Sequence, residues 1–161
     1  MNEAISKERF SDNGELTYEF GDEFLVVCPR CLGKARVFAV EIGSEKLNEK
    51  LFAERKLVCF SCVYRDEWKG GQIGVGGGFD WYFRLPLWFE ISCCSETLWA
   101  YNEKHLEFIE DYVGAKLRER KPFVNKSMAS RLPNWIKQAK NRDEILKAIK
   151  KLKSKMAETR A

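Results

Sequence analysis

Two stretches of the chain repeat one pattern, VVCPRCLGKARVF from Val26 and LVCFSCVYRDEW from Leu57. Each has a β-prone lead-in, two cysteines three positions apart, and a polar–apolar run suited to a returning strand. No other feature constrains the fold as much. A Cys-x-x-Cys segment between two strands turns the backbone tightly enough for its N–H groups to point at the sulfurs. Two such knuckles facing each other bring Cys28, Cys31, Cys59 and Cys62 into one tetrahedron.

Four thiolates suit Zn²⁺ in a closed structural site, with no coordination position left open. Pro29 and Gly33 fit the turn of a CPxCxG knuckle. The second knuckle, CFSCVYR, lacks that glycine, and the gap from Cys31 to Cys59 is longer than in compact sites. A redox dithiol pair and iron–sulfur ligation are the competing readings. The N-terminus, MNEAISKERFSDNGE, has no apolar run of the signal-peptide kind, so export is not expected. In a reducing cytoplasm, paired Cys-x-x-Cys motifs point to metal more than to disulfides. Arg30, Lys34, Arg36 and Lys56 lie near the knuckles, where they can offset the negative charge of a zinc–tetrathiolate centre. They do not by themselves mark a nucleic-acid surface.

Along the chain, residues 1–20 read as a loosely ordered N-terminal segment with a short strand at Leu16–Phe20. Strands are expected at Phe24–Val27 and Lys34–Val40, then at Leu57–Val58 and Val63–Trp68 around the second knuckle. Between them, Leu47, Leu51 and Phe52 give a weak helical period with Ser44 as a cap. GGQIGVGGG, residues 70–78, lacks the Lys-Ser/Thr ending of a P-loop and fits no dinucleotide fingerprint, so it reads as a flexible connector. In FDWYFRLPLWFEISCCSETLW, Trp81, Phe83, Leu85 and Leu87 alternate as a strand up to Pro86, and Trp88–Ser92 continues it. These aromatics form a sheet core, or some of them stack on unpaired bases.

The clearest helix is expected over 103–120, with Asn102 as N-cap, Tyr101 and Leu106 as a hydrophobic staple, and basic residues at its end before Pro122. A turn at Ser127–Leu132 follows, then a helix from Pro133. The last helix is capped by Asn141 with Glu144 at the third position, and Ile145, Ile149, Leu152 and Met156 form one face.

Cys93 and Cys94 are adjacent, and neighbouring side chains on a strand point opposite ways, so the two cannot easily join one site. The readings are a buried small apolar residue, an extra metal ligand, or a thiol nucleophile. The lone histidine, His105, lies eleven residues from Cys94 as its only candidate base, and one histidine argues against a catalytic zinc hydrolase.

Charge is divided unevenly. Residues 1–113 carry 13 Lys/Arg against 20 Asp/Glu, and residues 114–161 carry 15 against 4. The basic tail either meets an anionic partner or lies across the acidic body. Its candidate nucleic-acid contacts are Lys137, Lys140, Arg142, Lys147, Lys150, Lys151 and Lys155.

On CPRCLG and CFSC, residues 24–68 resemble the four-cysteine zinc ribbon superfamily. The remainder, in LPLWFEISCCSETLWAYNEKHLEFIEDYV and MASRLPNWIKQAKNRDEILKAI, is similar to a set of small bacterial zinc-ribbon proteins of unassigned function. The Cys-x-x-Cys pairs also resemble the cysteine-rich segment of the primosomal helicase, though no helicase motif is present. The resemblance implies a fold and a metal but not an activity.

The expectation is an α+β protein: a four-cysteine zinc ribbon merged with an aromatic-rich antiparallel sheet and followed by C-terminal helices. Its divisions are 1–20, a core at 21–124, and a basic helical segment at 125–161. Structural Zn²⁺ is the expected cofactor, and a nucleic acid or another protein the expected partner. No membrane or small-molecule substrate is indicated. A non-enzymatic, cytoplasmic, nucleic-acid-binding or regulatory role leads, with an interaction adaptor and a small thiol enzyme as alternatives.

Overall fold

The computed structural model describes residues 9–40, 45–119 and 127–157. Within them the chain is α+β, with antiparallel sheets, an aromatic cluster and C-terminal helices. Strands β1 (Arg9–Ser11), β2 (Glu23–Val27) and β3 (Lys34–Ala39) precede a short helix α1 (Leu47–Leu51). Strands β4 (Arg55–Cys59), β5 (Arg65–Trp68), β6 (Phe89–Cys93) and β7 (Glu96–Ala100) follow. Helix α2 (Glu103–Gly114), strand β8 (Leu117–Glu119), helix α3 (Asn134–Lys137) and helix α4 (Arg142–Ala157) complete the order. No described helix is long and apolar enough to cross a membrane.

β2–β3–β4–β5 form one antiparallel sheet with simple up-and-down connections. Alternation in KARVFA and RKLVC decides its faces: Ala35, Val37 and Leu57 point inward, and Lys34, Arg36, Phe38, Lys56 and Val58 point away. The inner face packs on an aromatic core of Phe20, Phe24, Trp81, Tyr82 and Tyr101. Phe24 and Trp81 meet edge-on at 5.0 Å, as do Trp81 and Tyr101 at 5.4 Å. A second core joins the β6–β7 hairpin to α2 and α4 through Phe89, Leu98, Leu106, Ile109, Ile145 and Ile149.

Several local expectations change. Trp81 and Tyr82 are consecutive and both buried, which an alternating strand cannot achieve. The segment is instead a turn held by the Asp80 carboxylate, which accepts from the N–H groups of Tyr82, Phe83 and Leu85 at 2.9, 2.7 and 2.6 Å. Burial raises the Asp80 pKa, against the pull of those donors. The strand proper begins at Phe89. Leu16–Phe20 is not a strand either, since Thr17–Phe20 forms a 3₁₀ turn. Within the segment expected to be loosely ordered, Asp12 and Phe20 are buried, and Ser127 donates a hydrogen bond to Asp12.

The helix expected over 103–120 starts as read, with Asn102 Oδ1 accepting the His105 N–H at 2.9 Å. It stops at Gly114 because the chain turns extended to pair β8 in parallel with β1. Arg118 therefore lies past the helix, yet its Nε still donates to the Tyr112 carbonyl at 3.0 Å. Arg142 Nε and Nη2 serve the Val113 and Ala115 carbonyls, so two arginines satisfy the terminal acceptors. Asn141 does not cap α4: its Nδ2 donates to the Trp135 carbonyl, and Glu144 is free to turn toward Cys94. The Ser44 cap and the Pro122 stop lie outside the described residues.

Candidate metal centre

The two knuckles sit at the same end of the four-stranded sheet because β3 pairs with both β2 and β4, placing Ala35 opposite Val26 and Cys59. Leu32 takes φ +63°, which lets the first knuckle turn back from Cys31 within two residues. The sulfurs of Cys28, Cys31, Cys59 and Cys62 all lie within 4.8 Å of one another. Cys28 and Cys62 are 3.8 Å apart at Sγ, and Cys31 and Cys59 are 3.5 Å apart. A tetrahedron with metal–sulfur bonds of about 2.3 Å has edges of about 3.8 Å, so the spacing fits one four-coordinate ion.

Backbone donors surround the sulfurs as the knuckle pattern demands. Arg30 N–H points at Cys28, Gly33 at Cys31, Ser61 and Cys62 at Cys59, and Tyr64 at Cys62, all at 3.3–3.4 Å. These donors favour thiolates. At Cys59 burial works against ionisation, but the N–H groups of Ser61 and Cys62 and the neighbouring thiols bring the pKa down to about 7. At Cys31 the Gly33 N–H favours the thiolate, and Cys59, burial, Cys62 and Cys28 outweigh it, to about 12. Unequal affinities for protons are what four close thiols show when only some can be charged, and a bound cation removes that competition. Gly33 is needed sterically: a Cβ there would come within 2.9 Å of Ser61 Oγ and 3.2 Å of Cys31 Sγ.

Cys93 and Cys94 come together, contrary to the expectation from strand geometry. They end β6 at a two-residue turn in which Cys94 and Ser95 both take positive φ, +58° and +62°. The left-handed residue swings the second side chain back toward the first, and the sulfurs lie 3.4 Å apart. Cys94 is also 3.3 Å from Glu144 Oε2. Burial, then Cys93 and Glu144, push its thiol up to about 12, the opposite of what a nucleophile requires. His105 is no base for it. Its Nδ1 accepts the Tyr101 N–H at 3.0 Å, and burial lowers its pKa to about 3.

The tail residues separate into two sets. Lys137 donates to the Ser130 carbonyl, Arg142 to Val113 and Ala115, and Lys155 to the Trp88 carbonyl while lying over the Trp88 ring. These three serve the body. Lys140, Lys147, Lys150 and Lys151 are exposed. The buried face of α4 packs on α2 and β6, so the basic helix lies across the acidic body.

Sequence reasoning missed a different basic surface. On the outer face of β3–β5, Arg36, Val58 and Arg65 form one cross-strand row, and Phe38, Lys56 and Glu67 the next. Lys34 lies 5.1 Å from the centre of the Phe60 ring, and Arg36 lies 4.5 Å from that of Phe38. The polar positions of KARVFA carried the signal, but each cation was also near enough to the knuckles to be explained by metal charge. Also unread was a cavity of about 260 Å³, lined by Trp99, Tyr101, His105, Met128 and Arg131 and bordered by Val75–Gly77 of the glycine-rich connector.

Compared with known protein families, curated proteins and solved structures, the chain has no significant match. The class therefore rests on geometry: an α+β protein with four cysteines gathered closely enough to hold a metal ion, an arrangement consistent with a zinc-ribbon-like site.

Proposed function

We propose that this is a non-enzymatic zinc protein that binds single-stranded nucleic acid on the outer face of its ribbon sheet. Zinc is favoured because four thiolates make a closed, soft, structural donor set. Reduced thiols in that arrangement suit the cytoplasm. The observation that carries the reading is the clustering of Lys34, Arg36, Lys56 and Arg65 around Phe38 and Phe60 on β3–β5 and the adjoining knuckle. Cations beside aromatic rings on an open sheet face offer phosphate contacts and stacking platforms together, and stacking requires unpaired bases. Most other aromatics are core residues and unavailable for it.

Leu32 and Val63, 72% and 82% exposed at the knuckle tips, favour a protein partner as the second reading. Fluorescence anisotropy with labelled single- and double-stranded DNA and RNA separates the two. The zinc-loaded protein is expected to prefer single strands, and Phe60→Ala to weaken binding at least several-fold. Absence of binding at physiological salt overturns the nucleic-acid reading and leaves the protein partner.

A further inference from the structure

We propose that Cys93, Cys94 and Glu144 form a second metal site, for a thiophilic divalent cation such as Zn²⁺, bound exchangeably with one coordination position left to an external ligand. The three donor atoms lie within 4.8 Å of one another. The sulfurs are 3.4 Å apart, and Cys94 Sγ is 3.3 Å from Glu144 Oε2. Tetrahedral zinc with sulfur at about 2.3 Å and carboxylate oxygen at about 2.1 Å needs separations of about 3.8 and 3.6 Å. The two separations at Cys94 Sγ would open by about 0.3–0.4 Å to meet these values, and Glu144, on the exposed side of α4, has room to swing its carboxylate to the ion.

Two elements supply the donors, the β6–β7 turn and the first turn of α4. The turn matters because its left-handed residues are cysteine and serine, neither of which favours that conformation. Without that backbone the two thiols would diverge. Glu144 is exposed and pairs with no cationic side chain among the described residues, so its remaining valence is available. Once deprotonated, two thiolates and a carboxylate this close would repel one another, and a bound dication offsets that repulsion directly.

The donor set also differs in kind from the four-cysteine site. Three protein ligands, with Cys93 buried, Cys94 half-buried and Glu144 exposed, leave a fourth position for water or a ligand on the exposed side, the composition of exchangeable rather than closed sites. In the metal-free protein the thiols form a hydrogen-bonded chain to the carboxylate. Binding replaces both S–H protons by the metal, so about two protons leave per ion bound. The ion would tie the hairpin tip to α4 and stabilise their packing. None of this depends on the nucleic-acid reading.

The test is calorimetric titration of the full chain, already carrying its first zinc, with Zn²⁺ under reducing conditions. Native mass spectrometry counts the ions, and repetition in buffers of different ionisation enthalpy counts the protons. A second equivalent is expected, weaker than the first and releasing about two protons. Cys94→Ser should abolish it and Glu144→Gln weaken it at least tenfold, while both variants keep the first zinc and the metal-free melting temperature of the hairpin and α4. Saturation at one ion, or a second equivalent unchanged in both variants, overturns the proposal. If Cys94→Ser proves unstable, Glu144→Gln, on the exposed side of α4, carries the test alone.

Discussion

Neutralising Lys56 and Arg65 on the outer sheet face should change the salt dependence of nucleic-acid binding by a calculable amount. Each cation that neutralises a phosphate on a single strand contributes about 0.7 to the slope of log affinity against log salt. Lys34, Arg36, Lys56 and Arg65 together would give a slope of about 2.8, which is roughly a 50-fold loss between about 50 and 200 mM salt. Arg36 is ion-paired to Glu23 at 2.9 Å, which already neutralises it, and without its share the loss is roughly 20-fold. Replacing Lys56 and Arg65 by glutamine removes about 1.4 from the slope, leaving a salt effect of about sevenfold. Both side chains are exposed, so the fold should be unaffected. Anisotropy titrations across a salt series read the slope. The same experiment on Lys147→Gln/Lys150→Gln/Lys151→Gln should leave it nearly unchanged. An unaltered slope in the sheet variant, or its loss in the α4 variant, refutes the assignment of the surface.

Further outcomes follow from the packing. Arg55 is 1% exposed, donates to the carbonyls of Gly21, Asp22 and Lys50, and lies 4.3 Å from the centre of the Tyr82 ring. Arg55→Ala strands those acceptors and should cost about 1–3 kcal/mol by chemical denaturation. Gly21→Ala drives a Cβ into the Trp81 ring and should cost about 1–3 kcal/mol, read as a lower melting temperature. His105 has a folded pKa of about 3, set by burial, against about 6.5 unfolded. The unfolded chain thus takes up the proton first, and the stability from the neutral ring, complete above about pH 6.5, is lost as pH falls toward 3. Melting curves from pH 7 to 4 should show His105→Gln losing stability less steeply than the wild type; equal steepness would contradict a buried neutral ring.

The four-cysteine centre and its strands were legible because knuckle chemistry is local: two Cys-x-x-Cys turns and their flanking alternation contain almost all the information. The Asn102 cap was legible for the same reason. The Trp81–Leu87 segment misled because its alternation was real but subordinate to Asp80, whose carboxylate replaces three ladder partners. The end of α2 depended on β1, more than a hundred residues earlier in the chain. Cys93 and Cys94 were misjudged because strand geometry was assumed where a left-handed turn governs. Glu144 lies fifty positions from Cys94, and no local pattern announces that pairing. The role of the tail was open in the sequence because charge composition does not say which lysines face a carbonyl and which face water.

The most direct test of the account is the metal itself. Protein purified under reducing conditions and dialysed to remove exchangeable ions should retain one zinc per chain by native mass spectrometry. Cys59→Ser should lose that zinc and melt far earlier, because a structural site contributes its binding energy to folding. A zinc-free wild type that folds with four freely titrating thiols, or a Cys59→Ser protein that keeps its zinc and its melting temperature, would contradict the four-cysteine centre on which the rest depends.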